Sequence, residues 1–161
     1  MRSHPEWEVL NRGVNGERSD QIRARFDRDV LDAAPRAVIV IAGVNDVYQG
    51  RPAEHVIEQL RAIYRRARQA RLVLVAGTIV PYDTATADQN ARMRKINAWL
   101  LGGTDLPRGS TPDAVVDTRA AVAAPNQPDR LFESPDGLHP SPAGYRRMAD
   151  ALRPALERLL R

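Results

Sequence analysis

Short apolar runs alternate with longer amphipathic segments along the whole chain. The runs Ala37–Ala42, Leu72–Val80 and Ala114–Thr118 are apolar over most of their length and rich in Val and Ile. Runs of this kind predict strands that are buried on both faces, as in a parallel sheet. A shorter run, Trp7–Leu10, predicts one more strand, which ends at the turn-prone sequence beginning at Asn11.

The intervals between these strands carry apolar residues at helical spacing. The stretch Ala120–Ser134, in contrast, contains Pro and Asn residues and predicts a loop. The predicted helices run from an N-cap at Ser19 to about Ala34; from Pro52, with Val56, Leu60, Ile63 and Ala67 buried; from Thr86 to Leu101, with Met93, Ile96 and Leu100 buried; and from the caps Ser141 and Pro142, with Tyr145, Met148, Leu152 and Leu156 facing the core.

Strands that alternate with helices predict βαβ units, a parallel sheet and helices on both of its faces. We therefore expect a single domain over residues 1–161 of the α/β class, with a three-layer α/β/α, flavodoxin-like arrangement. In such sheets, ligands bind outside the carboxyl ends of the strands. The loops after Leu10 and Ala42 and the loop before the last helix should then converge at one edge of the sheet.

Composition narrows the function classes. The formal charge is +4, but the arginines alternate with acidic residues along the helices and aromatic residues are only 5% of the chain, which argues against a nucleic-acid partner. The chain has no cysteine, and its three histidines lack metal-ligand spacing, so we expect no disulfide and no metal site. No run approaches the roughly 18 apolar residues of a membrane span.

The first residues contain no apolar signal-peptide core. For the sequence as printed, this favours a cytoplasmic protein. A true start further upstream would leave the localisation unknown.

Asp136 and His139 lie three residues apart, just ahead of the last predicted helix. On a short turn, this spacing lets the carboxylate reach the imidazole Nδ1–H, which fixes the tautomer and leaves Nε2 free to act as a base. Taken alone, the same spacing is also typical of a polar loop before a helix. His55, between Glu54 and Glu58, fits a surface ionic face better than a site.

Two other positions offer hydrogen-bond donors to a developing oxyanion. Asn45 has a side-chain amide, and Gly16 has a backbone N–H that no Cβ screens. The alternative interpretation is a turn after a strand for Asn45 and a conformational loop glycine for Gly16.

Three segments, in this order along the chain, resemble sequence blocks of the SGNH/GDSL family of serine esterases and lipases. The resemblance implies an enzyme that acts on a small-molecule ester without a metal or organic cofactor. It also implies that His139 is the base, that Asp136 orients it, and that Gly16 and Asn45 are oxyanion-hole donors. The matching residues are Asn11, Gly13 and Gly16 of block N-x-G-x-x-G; Gly43, Asn45 and Asp46 of block G-x-N-D; and Asp136, Gly137, His139 and Pro140 of block D-G-x-H-P.

The family's first block, Gly-Asp-Ser followed by Leu or Tyr, carries the nucleophile and has no counterpart in this sequence. Only ten residues precede Asn11, too few for a strand of about 5–6 residues and a crossover of about 10–12. The first strand of the family fold is therefore expected to be missing, through a start placed too late, a fragment, or a natural shortened form. None of the chain's five serines is expected to replace the nucleophile: Ser3, Ser19, Ser110, Ser134 and Ser141.

These observations leave two main functions open. The first is a GDSL-type carboxylic-ester hydrolase whose nucleophile block is not in this chain. The second is a non-catalytic SGNH-like module, or an inactive fragment, that binds an ester, glycan or protein through the same pocket. The ordered motifs disfavour a third, a flavodoxin-like binding domain without esterase ancestry. In either main case, a missing central strand would expose sheet edges, and exposed edges invite self-association.

Overall fold

Three parallel strands form the centre of the fold, in the spatial order β1–β2–β3. The computed structural model describes residues 7–102 and 110–161. Ala37 lies opposite Val73 in the first pair of strands, and Val75 lies opposite Ala114 in the second. All three predicted central strands are confirmed, each somewhat shorter than its apolar run: β1 is Ala37–Val40, β2 is Val73–Gly77 and β3 is Ala114–Val116.

Helices pack around this sheet and give the predicted three-layer α/β/α fold, since α3 contacts β2 while α6 contacts both β2 and β3. None of the helices in the described ranges is long and apolar enough to cross a membrane. The helices are α1 Ser19–Asp29, α2 Val44–Tyr48, α3 Ala53–Gln69, α4 Ala87–Gly102, α5 Thr118–Val122 and α6 Pro142–Leu159, with a 3₁₀ turn at Leu31–Ala33.

The core lies between β2 and the inner faces of α3 and α4. β2 is the central strand, and Leu74 and Ala76 within it are fully buried. The apolar stripes predicted for the two long helices are confirmed, because helical spacing places them all on the face toward the sheet. These buried residues are Val56, Leu60, Ile63 and Ala67 on α3, and Met93, Ile96 and Leu100 on α4.

The strand predicted at Trp7–Leu10 does not form. Residues 7–14 have no regular secondary structure, and Val9 is 81% exposed. A short strand gains stability only from a neighbour that satisfies its backbone groups and covers its side chains. In the described sheet, β1 pairs with β2 alone, so the segment has no such neighbour.

The prediction that the strand at Ala37–Ala42 is buried on both faces is wrong in part. Ile39 and Ile41 are 42% and 36% exposed, whereas Val40 and Ala42 are buried. The strand therefore has one covered and one open face. The last helix is likewise open on part of its inner side: Tyr145, expected in the core, is 52% exposed, although Leu152 is buried as predicted.

The segment Ala120–Ser134 is not a plain loop. The end of α5 enters it, and a two-stranded antiparallel pair follows, with β4 at Ala123–Ala124 and β5 at Gln127–Leu131. A side-chain cap explains the helix, and a left-handed turn residue explains the strand pair. The Asp117 carboxylate accepts a hydrogen bond from the Ala120 N–H at 3.0 Å and caps α5, and Asn126 turns the chain with a φ of 59°.

The helix boundaries differ from the predicted ones by a few residues. The first helix ends at Asp29, and the predicted remainder is the 3₁₀ turn, closed by Ala34 at a φ of 48°. Pro52 is the N-cap of α3 and not its first helical residue. The prediction that Gly102-Gly103 ends α4 holds for Gly102, and Gly103 lies outside the described residues.

Candidate active site

The turn that precedes α6 brings Asp136 and His139 into direct contact. The His139 Nδ1 lies 2.7 Å from the Asp136 Oδ2. The other carboxylate oxygen accepts hydrogen bonds from the backbone N–H groups of Leu138 and His139, at 2.9 and 2.8 Å. The His139 side chain is 46% exposed, so part of its imidazole is open to solvent. Geometrically, this is an imidazole oriented by a carboxylate.

The loop after β2 holds this turn in place. The Asp83 N–H donates to the Gly137 carbonyl at 2.7 Å. The Asp83 carboxylate accepts a hydrogen bond from the Leu131 N–H at 2.8 Å. Gly137 has a φ of 71°, a left-handed conformation that favours glycine. At the start of α6, Ser141 is the N-cap as predicted, accepting from the Gly144 N–H at 3.2 Å.

Asp83 is a supporting residue that the motif analysis missed. A signal for it existed, because it follows the second strand at the carboxyl edge of the sheet, where site residues concentrate.

The contacts around Asp136 lower its pKa below the usual carboxyl range. The hydrogen bond from the His139 ring is the largest cause, followed by the His139 and Leu138 backbone N–H groups. Since the folded-state pKa is depressed, the stability that this carboxylate contributes is present above the ordinary carboxyl pKa and is lost as pH falls through the depressed value. Near neutral pH, Asp136 is therefore an anion that accepts the Nδ1–H.

The second candidate region joins the Gly16 loop to α2. α2 begins after Gly43, which has a φ of 119° and whose added Cβ would lie 2.7 Å from side-chain atoms of Ile79 and Val56. Glycine is thus required there on both counts. Asn45, in the first turn of α2, donates its Nδ2 to the Glu17 carbonyl at 3.0 Å. That amide has two hydrogens, so one N–H is left for another acceptor.

Gly16 lies beside Asn45 because the two segments are cross-linked by side chains. The Gln49 Nε2 donates to the Gly16 carbonyl at 3.1 Å, and the Arg18 Nη1 donates to the Gln49 Oε1 at 2.9 Å. Gly16 has a φ of 78°, and an added Cβ would meet nothing within 4 Å. Its requirement for glycine is therefore conformational, and the space beside it is open.

The most buried link between these segments is the side chain of Asp46. It is fully buried and accepts two hydrogen bonds of 2.7 Å, from the Ser19 N–H and the Ser19 Oγ. The prediction that Ser19 is an N-cap is therefore wrong. Arg18 is the N-cap, and Ser19 is the first residue of α1, turned inward onto Asp46.

Among the described residues, no serine hydroxyl is hydrogen-bonded to the His139 ring. The Ser134 Oγ lies 2.7 Å from the His139 carbonyl and 3.2 Å from the Asp136 Oδ1, so it supports the turn. Ser19 and Ser110 are buried, and Ser141 caps α6. Ser3 lies outside the described residues.

The neighbours of His55 in sequence predicted that it lies on a surface ionic face. This prediction is wrong. The His55 Nε2 is buried without a hydrogen-bond partner, and one nitrogen of its ring lies within 4.8 Å of carboxylate oxygens of Asp20 and Asp46. Both carboxylates already have partners, Ser19 for Asp46 and Arg18 for Asp20. His4, the other histidine set aside from the sequence, lies outside the described residues.

Comparison with known proteins identifies the family of the chain. The model of the GDSL-like lipase/acylhydrolase family matches residues 2–147. An acetylxylan esterase of Geobacillus stearothermophilus is 27% identical over 154 residues, which are 89% of this chain and 69% of the relative. The chain therefore belongs to the GDSL-like lipase/acylhydrolase family.

Solved structures share the fold. A GDSL-like lipase from Bacteroides thetaiotaomicron superposes with a TM-score of 0.80 at 21% identity, covering 91% of this chain and 74% of that one. An acetyl-xylooligosaccharide esterase from Geobacillus superposes with a TM-score of 0.70 at 22% identity, covering 94% and 74%.

The contact between Asp136 and His139 predicts a specific change in acid titration. In the His139→Ala variant, the pKa of Asp136 should rise toward the ordinary Asp value of about 3.9, because the largest cause of its depression is removed. The titration can be followed by NMR on the Asp136 carboxyl carbon. His55→Ala is the matched control and should leave that titration unchanged. An Asp136 titration that is identical in the wild type and in His139→Ala would show that the pair does not form.

The two hydrogen bonds from Ser19 to Asp46 predict that alanine variants of these residues lose unequal amounts of stability. Asp46→Ala leaves a buried N–H and a buried hydroxyl unpaired and should lower the free energy of unfolding by about 2–4 kcal/mol. Ser19→Ala removes only the hydroxyl and should cost roughly 1 kcal/mol, because the Ser19 N–H keeps its acceptor. Urea unfolding measures both values. Equal losses of unfolding free energy in the two variants, or a loss near zero for Asp46→Ala, would contradict the role of these hydrogen bonds.

Proposed function

We propose that this chain provides the base and the oxyanion donors of a GDSL-type serine hydrolase that cleaves carboxylic esters. His139 is the general base, Asp136 orients it, and Gly16 and Asn45 donate to the oxyanion. The observation that carries the proposal is the 2.7 Å contact between the His139 Nδ1 and the Asp136 Oδ2. Membership of the family supports it, as does the free N–H that remains on the Asn45 amide.

The proposed reaction has two halves and needs a nucleophile placed near the His139 Nε2. A serine Oγ attacks the ester carbonyl carbon while His139 takes the serine proton, and Gly16 and Asn45 stabilise the negative oxygen that forms. The carbon–oxygen bond then breaks, and the alcohol leaves with the proton from His139. Water next gives a proton to His139 and attacks the acyl carbon; His139 returns that proton to the serine as the acid leaves.

The relatives suggest where to look for the substrate. One is an acetylxylan esterase, and a solved neighbour is an acetyl-xylooligosaccharide esterase. Acetyl esters of carbohydrates are therefore the first substrate class to test, followed by short p-nitrophenyl esters.

A second candidate function is a non-catalytic module that binds an ester or glycan in the same place. One observation favours it: no hydroxyl of a described serine is bonded to the His139 ring. The sequence of the DNA upstream of the first codon distinguishes the two functions. An in-frame Gly-Asp-Ser favours the enzyme.

For the chain as printed, we expect almost no esterase activity, because the base and the oxyanion donors are present without a nucleophile. A residual rate of roughly 10³–10⁴ over water is the most that such a site retains. Assays with p-nitrophenyl acetate measure it. Burst kinetics together with a fluorophosphonate adduct on any of the chain's serines would contradict this expectation.

When a Gly-Asp-Ser strand is fused ahead of residue 1, activity should appear and depend on His139. His139→Ala should abolish turnover, whereas the control His55→Ala should leave kcat nearly unchanged. Asn45→Ala should lower kcat by about 10²–10³ if its amide stabilises the oxyanion. Equal losses from both histidine variants would rule out the assignment. A change confined to KM would make Asn45 a residue that binds the ground state.

A further inference from the structure

The chain contains a single Asn-Gly pair, Asn15-Gly16, which lies in the loop that carries a proposed oxyanion donor. Both residues are exposed. They form the centre of a turn in which the Glu17 N–H donates to the Val14 carbonyl at 3.4 Å. No residue of the described ranges forms a hydrogen bond with the Asn15 side-chain amide. The carbonyl carbon of that amide is therefore accessible to a neighbouring nucleophile.

The backbone N–H of Gly16 also lacks an acceptor. Within residues 7–102 and 110–161 no group accepts this N–H, although the Gly16 carbonyl accepts a hydrogen bond from the Gln49 Nε2 at 3.1 Å. A Cβ built on Gly16 would meet nothing within 4 Å, so the space beside the residue is open. The properties that let this N–H donate to an oxyanion also let the nitrogen attack the side chain that precedes it.

The reaction between these two groups needs only water. The Gly16 nitrogen loses its proton and attacks the Asn15 side-chain carbonyl carbon; a C–N bond forms, the bond to the side-chain nitrogen breaks, and that nitrogen takes a proton and leaves as ammonia. The product is a succinimide ring, which water opens at either carbonyl. One opening gives aspartate, and the other gives isoaspartate, whose main chain runs through the former side chain. Asparagine is among the thermolabile residues of proteins.

The Asp136-Gly137 pair provides an internal contrast. An Asp-Gly sequence can close the same ring, but both side-chain oxygens of Asp136 have partners. They accept hydrogen bonds from the backbone N–H groups of Leu138 and His139, and from the His139 ring. Near neutral pH this side chain is an anion, and a carboxylate carbon is a poor electrophile. We therefore expect ring closure at Asn15 and not at Asp136.

We propose that Asn15 is a deamidation site, and that its conversion to isoaspartate withdraws the Gly16 N–H from the candidate active site. Isoaspartate lengthens the main chain ahead of Gly16 by one C–C bond, about 1.5 Å. Because Gln49 holds the Gly16 carbonyl, the added length displaces the peptide group that carries the Gly16 N–H. The second half of the proposal rests on the proposed ester hydrolase function, and the two halves have separate readouts.

The first half is tested on the full chain, kept folded in a mildly alkaline buffer that favours loss of the proton from the attacking nitrogen. Mass spectrometry of the peptide that contains Asn15 measures isoaspartate and aspartate over time. The conversion rate should be within about tenfold of the rate for the same chain unfolded in urea, because no local opening has to precede the attack. If Asn15 persists in the folded chain while the unfolded chain converts it, the proposal is overturned.

Asn15→Gln is the matched control for this conversion, because it keeps the amide but can close only a larger and less favourable ring. This variant should show no conversion at position 15 under the same conditions. The remaining asparagines, which no glycine follows, should convert more slowly than Asn15 in the folded chain. Faster conversion at any of them, or isoaspartate at Asp136 as early as at Asn15, would overturn the proposal. These asparagines are Asn11, Asn45, Asn90, Asn97 and Asn126.

The second half is tested in the enzyme completed with a Gly-Asp-Ser strand. During storage in the same buffer, kcat should fall in step with the isoaspartate content, towards a loss of about 10² at full conversion, since a displacement of about 1 Å can cost that much. Asn15→Gln should keep its kcat throughout. Fresh Asn15→Asp carries the new charge on a normal main chain and should keep most of its kcat.

The outcomes separate the two halves of the proposal. Conversion of Asn15 without a loss of kcat would leave the deamidation site standing and would count against Gly16 as an oxyanion donor. A loss in fresh Asn15→Asp equal to that of the isoaspartate form would overturn the displacement of the N–H. A completed enzyme that is inactive before storage would count against the hydrolase function, whereas the deamidation of Asn15 would still be measured by mass.

Discussion

The buried carboxyl group of Asp46 is the interaction on which the placement of the two proposed oxyanion donors depends. Residues 7–14 form no strand, so the sheet does not hold the Gly16 loop in place. The loop is held by polar contacts instead, and the Asp46 carboxylate, with its two 2.7 Å bonds from Ser19, is the most buried of them. A buried carboxyl group is costly unless its oxygens are hydrogen-bonded. This pairing holds the start of α1 against α2, and the bonds of Gln49 then keep Gly16 beside Asn45.

Much of the fold could be predicted from the sequence, because local pattern and tertiary burial agree in the centre of the molecule. Val73–Gly77 is a continuous apolar run and is the central strand. The stripes on α3 and α4 follow helical spacing and are buried. The contact between Asp136 and His139 could also be predicted, since a three-residue spacing on a turn fixes it locally. The ordered motifs indicated the family, and the family match confirms it.

The errors share a physical cause: each concerns a residue whose state depends on a distant partner. Trp7–Leu10 has strand-forming residues but no described strand beside it. Ser19 has the chemistry of an N-cap, yet a carboxylate 27 positions away takes both of its hydrogen-bonding groups. His55 lies between two glutamates in sequence, but in the structure its imidazole ring lies close to the carboxylates of Asp20 and Asp46. Exposure of Ile39 likewise depends on what lies over the sheet and not on the strand's own composition.

The central claim is that Asp136 fixes the imidazole of His139 so that Nε2 is a free base. The most direct test is the tautomer of that ring, read from ¹⁵N-edited NMR of the chain labelled at histidine, at a pH where the imidazole is neutral. The account predicts the tautomer with the proton on Nδ1, donated to Asp136, and an unprotonated Nε2. The Asp136→Ala variant should lose this preference. A ring protonated on Nε2 in the wild type, or the same tautomer mixture with and without Asp136, would contradict the account.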